Sequence, residues 1–289
     1  MNESTAEKVL ACVDRSQYSE HVADYAAWAA RRIGTSLEFL HVLDRSETLP
    51  SGEDHSGTIG FDAQAQLLDK LSLEDEARMR SARDQGRRFL SALRERAQAA
   101  GAPEVDIRQR YGELIETLHE QEEGVQLIVL GRRGRSAETT QRDLGRNVEW
   151  VVRALRKPIL TVTEGFREPQ RVMFAFDGSA VTRRGVEMVA KSALFPGLPI
   201  LLLMSGKVST DASKKLSWAE NSLRDAGYDV RASLVPGDAE AVIATTVKNE
   251  GIDLLIMGAF SHSPLRKLFF GSKTADLLRS SGIPTLLLR

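Results

Sequence analysis

The chain has 289 residues, 42% of them hydrophobic and 27% charged; at roughly 100 to 200 residues per domain this suits about two globular domains. Lys and Arg number 39 against 40 Asp and Glu, a net charge of −1, which excludes a general electrostatic pull toward nucleic acid or anionic membrane. Apolar content at this level with so little net charge also excludes disorder as the main state.

Met1 to Thr5 lacks the basic and then apolar regions of a secretory signal. Val9 to Val13 is an apolar run of strand length that ends at Asp14. It carries Cys12, the one cysteine, so no intrachain disulfide is possible, and a reducing, cytoplasmic setting with an inert buried thiol is expected. Glu20 to Arg32 has helical spacing, and Leu37 to Leu43 is a second apolar strand in which His41 is expected to be a satisfied, partly buried residue. Ser46 to Gly60, rich in Gly, Ser and acids, reads as a loop. From Asp62 to Ala100 the pattern is helical: Ala82, Gly86, Phe89, Leu90, Leu93 and Ala97 share one face. Ile107 to Tyr111 is a strand leading into Gly112-Glu113 and a helix to about Glu122. Leu127 to Gly131 is the next strand, followed by a Gly-containing loop, a helix, and a last strand from Lys157 to Val162. Glu164 to Gln170, polar and with Gly165 and Pro169, reads as a linker.

The pattern then recurs. Val172 to Phe176 ends at Asp177; a helix over Val181 to Leu194 and a strand over Ile200 to Met204 follow. Ala232 to Val235 leads into Pro236-Gly237-Asp238 and a helix to about Lys248; Leu254 to Gly258 matches Leu127 to Gly131; Ile283 to Leu288 matches Lys157 to Val162. Asp14 to Gly131 spans 117 positions and Asp177 to Gly258 spans 81, so the first half carries 36 inserted residues between its second and third strands. Runs that are apolar on both faces, alternating with helices, imply an α/β fold with βαβ units and a parallel sheet covered on both faces. The domains are expected at 1–165, with the loop and long-helix insertion, and 170–289. No segment approaches the roughly 18 apolar residues of a membrane span, and no membrane or nucleic-acid partner is expected.

In such sheets, ligands bind at the carboxyl ends of strands, where Asp14, Asp177 and both Gly loops sit. In the second half Gly258-Ala259-Phe260-Ser261 is followed, nine residues on, by Gly271-Ser272-Lys273-Thr274. A Gly-Ser pair opening a helix offers free N–H groups, a hydroxyl and the positive dipole end, which together favour phosphate. Lys273, Lys267 and Arg266 add charge, and His262 lies within reach of a phosphate. A Ser-capped helix after a surface loop is the plainer reading, with His262 an exposed loop residue. This is not a Walker A loop, because Ser272 separates Gly271 from Lys273. In the first half Gly131-Arg132-Arg133-Gly134 precedes Gly145-Arg146-Asn147, and Arg132, Arg133 and Arg135 make the loop basic; a solvated charged loop is the alternative. Asp14 and Asp177 are each either ligand contacts or caps of the turn that follows. No His spacing suits a metal, no nucleophile elbow is present, and no catalytic residue or metal ligand is assigned.

The two Gly loops, the first-strand Asp followed in the second half by Gly178-Ser179, and Pro158 and Pro284 opening the last strands resemble the universal stress protein family in its tandem, two-domain form. The resemblance runs over essentially the whole chain, once per half. It implies two domains, each a five-stranded parallel sheet with helices on both faces in the adenine nucleotide alpha hydrolase-like arrangement. It implies a ligand, ATP or a related adenine nucleotide with or without Mg2+, in some members. Carried over, the site residues are Asp177, Gly258, Ser261, Gly271 and Ser272 in the second half, and Asp14, Gly131, Gly134, Gly145 and Asn147 in the first. Val42 and Leu203 take the second-strand positions whose backbone contacts adenine.

Both halves depart from the family pattern. Ser261 stands where a Gly is usual; in the first half the spacing is ten and Arg146 replaces the hydroxyl residue. The second half is therefore the expected nucleotide site. The expected function is a non-enzymatic, cytoplasmic stress-response protein that pairs as a homodimer, responds to nucleotide binding and acts on protein partners the sequence does not name. The alternatives are an interaction module without nucleotide, docking through the long first-half helix, and a slow ATPase. The last strands, Ile159 to Thr163 and Thr285 to Leu288, are expected to join the domains.

Overall fold

The computed structural model describes residues 7–43, 61–134, 146–259 and 282–289. The first half contributes β1 (Lys8–Cys12), α1 (Ser19–Ile33), β2 (Leu37–Leu43), α2 (Phe61–Ala99), β3 (Val105–Tyr111), α3 (Leu114–Gln121), β4 (Val125–Gly131), α4 (Arg146–Ala154) and β5 (Ile159–Val162). The second contributes β6 (Val172–Ala175), α5 (Ala180–Lys191), β7 (Ile200–Ser205), α6 (Thr210–Asp225), β8 (Val230–Val235), α7 (Ala239–Glu250), β9 (Leu254–Gly258) and β10 (Thr285–Leu288).

The strands form one sheet in the order β3-β2-β1-β4-β5-β10-β9-β6-β7-β8. Pairing is parallel within each half and antiparallel where β5 meets β10, with Leu160 opposite Leu286. The two last strands do join the domains. Because they run antiparallel, the carboxyl ends of the two strand sets open at opposite edges of the sheet, so the candidate sites point away from each other.

Helices cover both faces, which is why the strands read as unbroken apolar runs. On one face α1, α2, α5 and α6 bury Trp28, Leu90, Leu93, Val186 and Leu216 against Val9, Phe39 and Phe174. On the other, α3, α4 and α7 bury Leu118, Val151 and Ile243 against Leu10, Leu40 and Leu255. Among the described side chains of the long helix α2, Leu90, Leu93 and Ala97 in its C-terminal part are buried, while Leu73 is 68% exposed and Met79 46%.

Arginines stitch the seam. Arg132, one residue past β4, is buried and donates to the Ile283 carbonyl at 2.8 Å and the Thr285 hydroxyl at 3.4 Å. Burial first, and then neighbouring Arg133, pushes its pKa down to about 10. Thr161 donates its hydroxyl to the Thr285 carbonyl at 3.1 Å. Arg289 donates to the carbonyls of Val152, at 3.0 Å, and Leu155, at 2.9 Å, at the C-terminal end of α4, where a cation also suits the helix dipole.

Candidate functional site

The two halves superimpose by strand register. Val9 pairs with Leu37 and Leu127; Val172 pairs with Ile200 and Leu254. Counted from these pairs, Asp14 matches Asp177 and Gly131 matches Gly258. Each Asp organises the turn that follows it. In the first half the Ser16 amide donates to Asp14 Oδ1 at 3.2 Å and the Ser16 hydroxyl at 2.5 Å, while the Ser19 hydroxyl bonds the Asp14 carbonyl. In the second, the Ser179 amide donates to Asp177 Oδ1 at 2.9 Å and the Thr182 hydroxyl at 2.7 Å. Ser179 also caps α5, accepting from the Thr182 amide at 3.3 Å. The turn-capping role is thus present in both halves.

The carboxylates differ in their surroundings. Asp177 is solvent-accessible but lies against protein atoms at the strand end. That partial desolvation alone would raise its pKa; the hydrogen bonds from Ser179 and Thr182 outweigh it and hold the carboxyl below its ordinary value. Both bonds land on Oδ1, and among the described residues none lands on Oδ2. Asp14 is more enclosed. A methyl at Gly134 would stand 2.5 Å from Asp14 Oδ2, so the glycine brings the first-half loop directly onto the carboxylate.

Gly131, Gly134 and Gly258 keep ordinary backbone angles, and what they supply is space. A methyl at Gly131 would stand 2.8 Å from the Arg133 carbonyl; one at Gly258 would stand 3.2 Å from Thr182 Cγ2 and 3.3 Å from Val181 Cγ1. Gly258 therefore lets the end of β9 close on the first turn of α5.

Three expectations are corrected. Val42 and Leu203 are not equivalent positions. Leu203 pairs with Ala175, its carbonyl accepts from the Phe176 amide at 2.8 Å, and its side chain is core. The Leu40 carbonyl accepts from the Val13 amide at 3.0 Å in the same way. Leu203 thus matches Leu40, and the residue matching Val42 is Ser205, the last of β7. The strand starts, Leu37 and Ile200, carried that alignment in the sequence. Second, Arg132 does not make the first-half loop basic, because it turns into the seam between the domains. Arg133 pairs with Glu164 at 3.4 Å. Third, His41 is fully rather than partly buried; its Nδ1 lies 3.0 Å from the Val13 carbonyl and its ring meets Phe89 edge-on at 5.5 Å.

Ser261, His262, Gly271, Ser272, Lys273 and Gly145 lie outside the described residues, as do Arg135, Arg266 and Lys267; Asn147 is described only as backbone in the first turn of α4. Cys12 is buried, and burial first, then the Glu38 charge, pushes its thiol up to about 12. Among the described residues no group of His, Cys, Asp and Glu converges as a metal site, and no helix is long and apolar enough to cross a membrane.

Two turns with the same hydrogen-bonding plan, at opposite edges of one sheet, make a duplicated domain. The family model for the universal stress protein family matches residues 5–163 and again 168–289. The chain belongs to the universal stress protein family. This tandem universal stress protein is 33% identical over 284 residues to universal stress protein Slr1230 of Synechocystis sp., covering 97% of this chain and 99% of that one. A crystal structure of a universal stress protein from Archaeoglobus fulgidus matches with a TM-score of 0.70 at 16% identity, covering 98% of this chain and 96% of that chain. The functionally unknown protein PA1789 from Pseudomonas aeruginosa matches with a TM-score of 0.60 at 15% identity, over 100% of this chain and 94% of that one. At those identities the two structures establish the shared fold.

One cluster beside the second-half turn carried no signal in the sequence. Arg183 donates its Nε proton to the Gly178 carbonyl at 3.1 Å and lies 5.9 Å over the Trp218 ring. The Lys215 stem crosses Gly178, where a methyl would stand 2.9 Å from Lys215 Cδ. Arg183 follows the turn locally, five residues after Gly178, whereas Lys215 and Trp218 come from α6 and are brought to it by packing of α6 beside α5.

Proposed function

We infer that this universal stress protein binds an adenine nucleotide such as ATP in its second domain, and that binding alters stability or partner affinity rather than driving chemistry. The observation that carries the reading is Asp177: a carboxylate with a lowered pKa at the carboxyl end of β6, with one oxygen holding the turn and the other without a donor among the described residues. An ionised carboxylate only accepts hydrogen bonds. It suits an adenine amino group or a ribose hydroxyl and repels phosphate, which belongs further along, toward the loop after Gly258. Gly258 keeps the approach narrow, and the half-buried Gly178-Ser179 turn lies beside Asp177 with the Lys215 stem across Gly178. A ligand of this kind regulates by binding two states of the protein unequally. The reduced, buried Cys12 fits the cytoplasmic setting that the reading includes.

Native mass spectrometry of the gently purified chain is the first test, with a co-purifying adenine nucleotide as the expected result. Asp177→Asn keeps the Oδ1 acceptor that holds the turn and replaces the other oxygen with a donor. It is expected to lower nucleotide affinity about tenfold or more with a modest fall in melting temperature, since a neutral amide accepts the two turn bonds more weakly than a carboxylate, while Asp14→Asn changes affinity less. An absence of carried nucleotide, together with no thermal shift at millimolar ATP, would overturn the reading.

The exposed Leu73 and Met79 of α2 favour a second reading, an interaction module that docks a protein through this helix. Phosphate release from ATP that disappears in Asp177→Asn would instead support slow hydrolysis.

A further inference from the structure

We propose that α2 pairs antiparallel with α2 of a second copy of this chain, so that the protein associates through its first-half insertion. This gives the docking reading of the helix one occupant. It is independent of the nucleotide reading, and either can fail alone. The helix is 39 residues long, about 58 Å at 1.5 Å per residue. Leu90, Leu93 and Ala97 are held in the core, whereas Leu73 and Met79 stand in water. Leu73, at 68%, is the most exposed large hydrophobic side chain among the described residues. The ion pairs seen around it are short-range ones within the helix, Glu74 with Arg78 and Glu76 with Arg80. Such pairs add only a few tenths of a kcal/mol each, so a long stretch of helix in water gains most from a partner. The last strands are closed to a second copy, because β5 and β10 lie inside the sheet.

Charge complementarity names the partner. Phe61 to Glu76 carries five acidic residues and one basic, a net −4, and Ala77 to Ala99 carries seven arginines and two acidic residues, a net +5. The helix dipole favours this polarity only in the first and last turns, whereas the sign changes in mid-helix, between Glu76 and Arg78. Two such helices laid parallel would set acid beside acid and base beside base. Laid antiparallel about a two-fold axis at Arg78, each position meets the one equally far on the other side of residue 78. Asp62 then meets Arg94, Asp69 meets Arg87 and Glu76 meets Arg80, each pair twice. These positions share one helical face, at spacings of three, four and seven, and Leu73 falls between Asp69 and Glu76 on that face. Leu73 meets Arg83 and covers the alkyl stems of the partner's arginines. Asp84 meets uncharged Ser72 and adds no repulsion. The face is open: the side chains of Arg80 and Glu76 are 80% and 54% exposed, and Arg87 is exposed. The core-facing stripe of Gly86, Leu90 and Leu93 lies about a third of a turn away.

Sedimentation velocity of the full chain over a micromolar concentration series, without nucleotide, tests this. A reversible dimer that weakens as salt is added is expected. Asp69→Arg and Arg87→Glu each set two like-charge contacts into the dimer, and each is expected to weaken self-association about tenfold or more. Mixed in equal amounts, the two variants restore both contacts, Arg against Glu at one end and Arg87 against Asp69 at the other. The mixture is expected to associate within about threefold of the parent, as antiparallel pairing requires and parallel pairing does not. The double variant carrying both changes is expected to regain the homodimer, a rescue that a folding defect in either single variant would prevent. A parent chain that stays monomeric throughout the series overturns the proposal. So do single variants that dimerise as the parent does, or a mixture and a double variant that stay as weak as the single variants.

Discussion

Two helical glycines face the sheet in ways that predict opposite effects of the same substitution. Gly185 lies in α5 and Gly86 in α2. Replacing either by Ala gains about 1 kcal/mol of helix propensity. A methyl at Gly185 overlaps Leu288 Cδ1 and lies 3.0 Å from Phe174 Cζ. Both neighbours are core, at 3% and 0% exposure, and Leu288 belongs to the strand that joins the domains. Neither can move without disturbing close packing, and overpacking of this kind costs about 1 to 3 kcal/mol. The net expectation for Gly185→Ala is a loss of about 1 kcal/mol. A methyl at Gly86 meets the Gln109 amide, with Nε2 at 2.5 Å. Among the described residues that nitrogen is buried without a hydrogen-bond partner, at the far end of a partly exposed, flexible side chain. Pushing it toward water relieves an unsatisfied donor, so Gly86→Ala is expected to stabilise by about 0.5 to 1 kcal/mol. Guanidinium chloride unfolding followed by circular dichroism separates the two, through midpoints that move in opposite directions at unchanged slope. Midpoints shifted in the same direction, or Gly185→Ala the more stable protein, would refute the packing argument.

Two further outcomes follow from titratable groups. With its pKa pushed up to about 12, the Cys12 thiol is about one part in ten thousand thiolate at pH 8. A thiol reagent such as Ellman's is expected to label it only at the rate of unfolding; rapid labelling of the native chain would contradict its burial. Asp177 has a lowered pKa in the folded state, so its contribution to stability is complete above the unfolded value of about 3.9 and is lost as pH falls through the lower folded value. Asp177→Asn is therefore expected to flatten the acid limb of the stability profile below about pH 4; an acid limb identical to that of the parent would remove the hydrogen bonds of Ser179 and Thr182 as its cause.

The strands were legible because burial on both faces leaves runs without polar interruption. The apolar runs Val9 to Val13 and Val172 to Phe176 each extend one residue past their strand, since Val13 and Phe176 still donate to the neighbouring strand after regular pairing stops. Helix α5 ends at Lys191 rather than Leu194, because Ser192 leaves the helix while Leu194 and Phe195 remain buried in the turn beyond it; apolar spacing records burial, not hydrogen bonding. The first-strand aspartates were visible as polar stops after apolar runs. On the second strand Ser205, not Leu203, matches Val42, and the sequence does not show it because Ile200 to Met204 is uniformly aliphatic and carries no internal register mark.

The sequence by itself determined the duplication, the α/β class, the insertion in the first half and the two carboxylates at strand ends. Each depends on local composition and order along the chain. The tertiary structure decided what depends on residues distant in sequence. It joined β5 to β10 antiparallel, so that the two sites open at opposite edges. It turned Arg132 into the domain seam, away from its own loop. It also laid the Lys215 stem, from α6, across Gly178. A charged residue looks the same in a sequence whether its side chain ends in water, at a carbonyl of the other domain, or at the rim of a site; packing of the helices on the sheet makes that choice.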